Sequence, residues 1–137
     1  MKIAKEFNWE MGHHLPEHFG KCKNIHGHSY KMWIELEGDV MENGMVMDYY
    51  YLKDIIEPLI DKMDHSFLVY EEDDSIIEFL EKMNSKRVIV NFQSTVENIT
   101  NYFLAEIKKM KLPSNIEKVK VRVYETPDDY AEEELIL

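Results

Sequence analysis

The sequence predicts an α+β domain, an antiparallel sheet with two helices packed on one face. Three patterns predict it. Segments at about residues 2–13, 28–37 and 118–123 alternate apolar and polar positions, as strands with one buried and one wet face do. Two other segments repeat apolar residues at helical spacing. The length of 137 residues suits a single domain spanning 1–137.

In the first strand Ile3, Phe7, Trp9 and Met11 share a face, with Lys5 as the exception. In the second, Tyr30, Met32, Ile34 and Leu36 oppose Lys31, Glu35 and Glu37. Gly38-Asp39 and Glu42-Asn43-Gly44 then break the chain. Asp48 is placed to cap a helix whose stripe is Leu52, Ile55, Ile56, Leu59, Ile60 and Met63. Pro58 inside that stripe removes a backbone hydrogen bond and predicts a kink or a broken turn. The acidic run Glu71-Glu72-Asp73-Asp74 reads as a solvated loop. Residues 87–92 form a short strand. Ser94-Thr95-Val96-Glu97 reads as a capping box for a second helix, with the stripe Val96, Ile99, Phe103, Ile107 and Met110. Lys108, Lys109 and Lys111 suit its C-terminal dipole, and Pro113 ends it. Val119, Val121 and Val123 alternate with Lys118, Lys120 and Arg122, leaving room for a final strand. Open edges of such a sheet invite pairing, so oligomerisation through them is expected.

Composition excludes several classes of function. Sixteen basic residues against 27 acidic ones give a net charge of −11, which works against a nucleic-acid partner. One cysteine allows no intrachain disulfide and argues against a secreted disulfide scaffold. No run approaches the ~18 apolar residues of a membrane span, and Met1 to Glu6 has no signal-peptide stretch. A cytoplasmic location is expected.

Strand parity picks out the candidate chemistry. His26 and His28 share the parity of Tyr30 and Met32, and His13 that of Trp9 and Met11, whereas His14 points out. Three inward imidazoles would form a metal site with a fourth position left open, as catalytic zinc has. An inward histidine is more often a hydrogen-bonded core residue, and His-Gly-His also fits a polar turn, so spacing alone leaves both readings open. Cys22 is either a small buried hydrophobe or, near a histidine, a base or nucleophile. Asp64-His65 is either a helix-end turn or a carboxylate holding an imidazole tautomer. Glu125 continues the parity of Val123 as a carboxylate that needs a partner, unless the strand ends before it.

Taken together, the motifs resemble the 6-pyruvoyl-tetrahydropterin synthase / 6-carboxytetrahydropterin synthase family. They are Phe7 to Leu15, Cys22-Lys23-Asn24-Ile25-His26-Gly27-His28-Ser29-Tyr30, Gly44 to Tyr49 with Leu52-Lys53, Met63-Asp64-His65, Thr95-Val96-Glu97-Asn98 and Glu125-Thr126. The resemblance implies a T-fold whose subunits join edge to edge into rings, commonly hexamers, with active sites at subunit boundaries. It implies His13, His26 and His28 as zinc ligands, and Cys22 as the general base, assisted by Asp64 and His65. Glu125 would anchor the pterin ring, with Thr95 and Glu97 close to it. The implied substrate is 7,8-dihydroneopterin triphosphate. The Cys-x3-His-Gly-His spacing is closer to the carboxy-forming branch, which releases acetaldehyde and triphosphate and feeds queuosine biosynthesis, than to the pyruvoyl-forming one. A pterin- or metal-binding module without turnover is the alternative from outside the enzymes. The chain departs from the pattern at His14, where Arg is frequent, at Ser94, where Pro is usual, and at Val69, where Asn is frequent. Lys21, Lys23, Lys31 or Arg87 would have to supply the field that attracts the triphosphate.

Overall fold

The computed structural model describes residues 1–137. Its strands are β1 (Lys2–His13), β2 (His26–Gly38), β3 (Ser66–Tyr70), β4 (Arg87–Val90), β5 (Ile116–Tyr124) and β6 (Tyr130–Ile136). Its helices are α1 (Tyr49–Met63), α2 (Asp74–Lys82) and α3 (Val96–Lys108). The strands form one sheet in the order β4-β3-β1-β2-β5-β6.

The α+β class and the four long strands match the expectation, but the sheet is mixed rather than purely antiparallel. β3 runs parallel to both β1 and β4. Ser66 to Tyr70 lacks the polar alternation that reveals a half-exposed strand, because both of its faces are covered. Leu68 joins the main core, while Val69 and Phe67 pack with Ile76, Ile77 and Leu80 in a second cluster. α2 supplies that second cluster, so it lies on the sheet face away from α1 and α3. The two predicted helices cover one face, and the third covers the other.

The acidic run is only half loop. Glu71 and Glu72 are exposed, but Asp74 opens α2 and the Asp73 carboxylate is 12% exposed, held 2.6 Å from His14 Nδ1. α1 runs unbroken through Pro58, and the Asp48 carboxylate accepts the Tyr50 N–H at 2.8 Å as expected of a cap. The capping box is displaced by one residue. Thr95 Oγ1, not Ser94, accepts an N–H at the start of α3, from Asn98 at 3.3 Å. Ser94 is buried and its hydroxyl donates to the His14 carbonyl at 3.5 Å.

The main core is a cluster of 23 buried residues between the sheet and helices α1 and α3. Trp9 and Tyr30 stack at its centre with ring centroids 5.3 Å apart, and Phe103 closes on Trp9 at 5.2 Å. The outer side of β4 and two further stretches of edge stay open. β3 pairs with β1 only at Met11 to His13, which leaves Lys2 to Asn8 without a strand on that side, and β6 has no outer neighbour.

Candidate metal centre and active site

At the end where β1 and β2 meet, position 13 pairs directly with position 26. The side chains of His13, His26 and His28 therefore leave the sheet on the same face, the outcome expected from parity. Their ring nitrogens converge. His13 Nε2 lies 2.9 Å from His26 Nε2 and 3.2 Å from His28 Nε2, and all three donor atoms fall within 4.8 Å of one another.

The tautomers follow from the other ring nitrogens. His13 Nδ1 lies 2.7 Å from the Ser94 carbonyl, and His26 Nδ1 lies 2.6 Å from the Asn24 carbonyl. A carbonyl oxygen only accepts, so both Nδ1 atoms carry the proton and the facing Nε2 atoms present lone pairs. Lone pairs at 2.9 Å repel unless a positive charge lies between them. Burial pushes the His13 imidazole down to about 4, with His26 and His28 adding to it against the Ser94 carbonyl. Burial lowers His28 as well, and His26 reinforces it. At neutral pH both rings are uncharged donors, the state that binds a metal ion.

Glu125 stands beside this cluster. Its Oε1 is 3.5 Å from His13 Nε2 and 3.6 Å from His28 Nε2, and it is buried without a hydrogen-bond partner. Burial raises its carboxyl above the ordinary range, helped by Glu97 and Asp129. An orphaned carboxylate oxygen beside three converging imidazole nitrogens is an arrangement suited to a cation. The donor set fits one: the three histidines can hold a metal ion.

Cys22 is half-buried in a short 3-10 turn, Lys21–Lys23, and is not among the converging donors. Its carbonyl accepts the Leu15 N–H at 3.2 Å, which closes the loop between β1 and β2. The Tyr30 hydroxyl is raised by burial first, then by the charges of Glu125 and Cys22.

Asp64 and His65 sit elsewhere. Asp64 Oδ2 is 3.0 Å from His65 Nδ1, so the pair itself exists. Its carboxyl is held below the usual range by the Glu10 N–H first and His65 second. His65 adopts φ of 56°, the left-handed residue after a helix, and its N–H donates to the Glu10 carbonyl at 2.7 Å. Its side chain is 75% exposed and shares a shallow cleft with Glu10, Ser29, Phe67 and Lys86. Glu10 and Ser29 have the parity opposite to the histidine cluster, so within one chain the pair opens on the sheet face opposite the three imidazoles. Thr95 is committed to capping α3, and Glu97 lies exposed in its first turn, near enough for its charge to act on Glu125.

Parity reasoning missed three participants. Tyr30 has a hydroxyl without a partner in the floor of the site, and it shares the parity of His28, so the same rule was enough to find it. Ser94 and Asn24 act through backbone carbonyls, for which side-chain type gives no signal. His14 does point away from the cluster, but to Asp73 rather than to water.

Fold and site together define a T-fold protein with a metal-capable histidine centre. The family model for 6-pyruvoyl tetrahydropterin synthase matches residues 2–135, and the chain belongs to that family. Among curated relatives, it is 37% identical over 139 residues to the Haemophilus influenzae protein named 6-carboxy-5,6,7,8-tetrahydropterin synthase, covering 96% of each chain. It is 30% identical over 155 residues to the Aquifex aeolicus protein of the same name, again covering 96% of each. Among solved structures, 6-pyruvoyltetrahydropterin synthase from Plasmodium vivax superposes with a TM-score of 0.80 over 100% of this chain and 98% of that one, at 20% identity. The Caenorhabditis elegans 6-pyruvoyl tetrahydropterin synthase gives 0.71 over 97% and 94%, at 28% identity.

Proposed function

We propose that this chain is a zinc-dependent 6-carboxytetrahydropterin synthase acting on 7,8-dihydroneopterin triphosphate, with release of acetaldehyde and triphosphate. The observation that carries the reading is the convergence of three imidazole nitrogens beside the orphaned Glu125 oxygen. His13, His26 and His28 would hold the ion. Zinc supplies Lewis acidity there, which makes protons next to a bound oxygen easier to remove.

The chain's own groups account for the rest. Cys22 takes a proton from the substrate side chain, which requires the thiolate form. Glu125 accepts from the amino-pyrimidine edge of the pterin, a two-point charge-assisted contact that satisfies its unpaired oxygen. Thr95 and Glu97 lie at the start of α3 close to the ring. Asp64 and His65 reach Cys22 from a neighbouring copy, since within one chain they face away. That geometry, with the open edges of β1 and β6, supports assembly into rings with active sites at subunit boundaries. No helix is long and apolar enough to cross a membrane, and the proposed location is the cytoplasm, with the product entering deazapurine nucleoside synthesis such as that of queuosine.

Incubating the zinc-loaded protein with 7,8-dihydroneopterin triphosphate and identifying the products tests the reading. Acetaldehyde and 6-carboxytetrahydropterin are expected. A pyruvoyl product would assign the chain to the other branch, and binding without turnover would make it a pterin-binding module.

Glu125→Ala is expected to weaken pterin binding by about 1.5–3 kcal/mol, the scale of a hydrogen bond to a charged group, while bound metal stays constant. Titrating the variant with a pterin and measuring its metal content checks both. Lost metal would instead make Glu125 a fourth donor of the cluster, a role that its distances of 3.5 and 3.6 Å also permit.

A further inference from the structure

Two charges interrupt the apolar helix-side face of the sheet, Lys5 on the open stretch of β1 and Glu133 on the outer strand β6. Across β1, β2, β5 and β6 the strand registers line up in straight rows. These are Ile3–Leu36–Val119–Leu135, Lys5–Ile34–Val121–Glu133 and Phe7–Met32–Val123–Ala131. The two inner positions of every row are fully buried and apolar. The outer positions match each other: aliphatic with aliphatic, cation with carboxylate, large ring with small methyl.

Neither Lys5 nor Glu133 has an ion-pair partner within the chain. Lys5 Nζ lies 5.8 Å from the centroid of the Phe7 ring, and Glu133 accepts only the Glu134 N–H, at 3.0 Å. Charges on the opposite face are different, being paired across the strands: Lys2 with Glu35, and both Lys120 and Arg122 with Glu132, each at 3.1 Å.

We infer that Lys5 of one copy and Glu133 of the next form an ion pair that sets the register of self-assembly between the open edges of β1 and β6. The inference rests on the assembly reading above. β6 runs antiparallel to β1 through the alternation of β1, β2, β5 and β6, so a second copy laid on the open edge continues the antiparallel sheet. Continuing each row without offset puts Leu135 opposite Ile3, Glu133 opposite Lys5 and Ala131 opposite Phe7. A slip of one residue turns Glu133 to the other face, and a slip of two sets both charges against apolar neighbours without a partner. In the unshifted register Glu6 meets Glu132, but Lys120 and Arg122 already neutralise Glu132, and Trp33 Nε1 donates to Glu6 at 3.0 Å. The cleft of about 740 Å³ between β1 and α1, which Lys5 lines with Phe7, Tyr50 and Ile60, is the space the incoming edge would occupy. Because the two edges differ, the contact is head-to-tail, the type that closes into rings.

Analytical ultracentrifugation of the full chain tests the pair. Lys5→Glu and Glu133→Lys are each expected to raise the dissociation concentration by about tenfold or more through like-charge contact. The double exchange Lys5→Glu/Glu133→Lys should restore assembly. As a direct measure of register, Lys5→Cys/Glu133→Cys in a Cys22→Ser background should be joined between chains by a short bifunctional thiol cross-linker, since directly opposed positions bring Cβ atoms to about 4.5–5.5 Å. Single variants that assemble like the parent, or a double exchange no better than either single variant, would overturn the pair while leaving assembly intact. A parent chain that stays monomeric would overturn both.

Discussion

Replacing His26 and His28 together by alanine is expected to lower bound metal from about one ion per chain to background, and to abolish turnover. The reason is geometric. Only three donors converge, and His13 left alone cannot hold an ion that the three hold together. Both residues sit at the end of β2 and are only half-buried, so the sheet beneath them does not depend on their packing. Metal analysis of the purified variant, with circular dichroism to confirm the fold, is decisive. Full metal occupancy in this double variant would end the assignment of the cluster.

Cys22→Ala is expected to have the opposite signature, with metal retained and turnover lost. The thiol is not among the converging donors, so its removal leaves the ion's ligands in place. Its proposed work is proton removal, and losing a positioned base costs about 10²–10⁴-fold in rate. The measurement is kcat at constant metal content. An active Cys22→Ala enzyme would remove the thiol from the mechanism, and a metal-free one would move it into the coordination sphere. The two double-sided outcomes together separate ion binding from proton transfer.

Much of this was legible in the chain because strands have a period of two. Positions 13, 26 and 28 were assigned to one face from Trp9, Met11, Tyr30 and Met32, and the structure places them there. Asp48 and the stripe from Leu52 to Met63 likewise defined α1. What failed has physical causes. Ser66 to Tyr70 is covered on both faces, which erases alternation, and its parallel pairing is set by distant partners. The acids at 71–74 read as solvated, since nothing local shows that His14 returns to Asp73 from 59 residues away. Ser94 satisfied the capping pattern, but burial beside His13 drew it to another task and Thr95 took the cap. Asp64 and His65 are neighbours in sequence and in space, yet no local pattern reports that they open with Glu10 and Ser29 on the sheet face opposite the three imidazoles.

The carbonyl that fixes the His13 tautomer belongs to Ser94, one residue before the cap of α3. The three imidazoles are all synthesised within the first 28 residues, but the peptide that aims the first of them emerges 81 residues after it, and Glu125 later still. The orientation of His13 is therefore a property of the folded domain and not of the short segment that carries the histidines. The three-histidine geometry is complete only once α3 has docked and its preceding carbonyl has met His13.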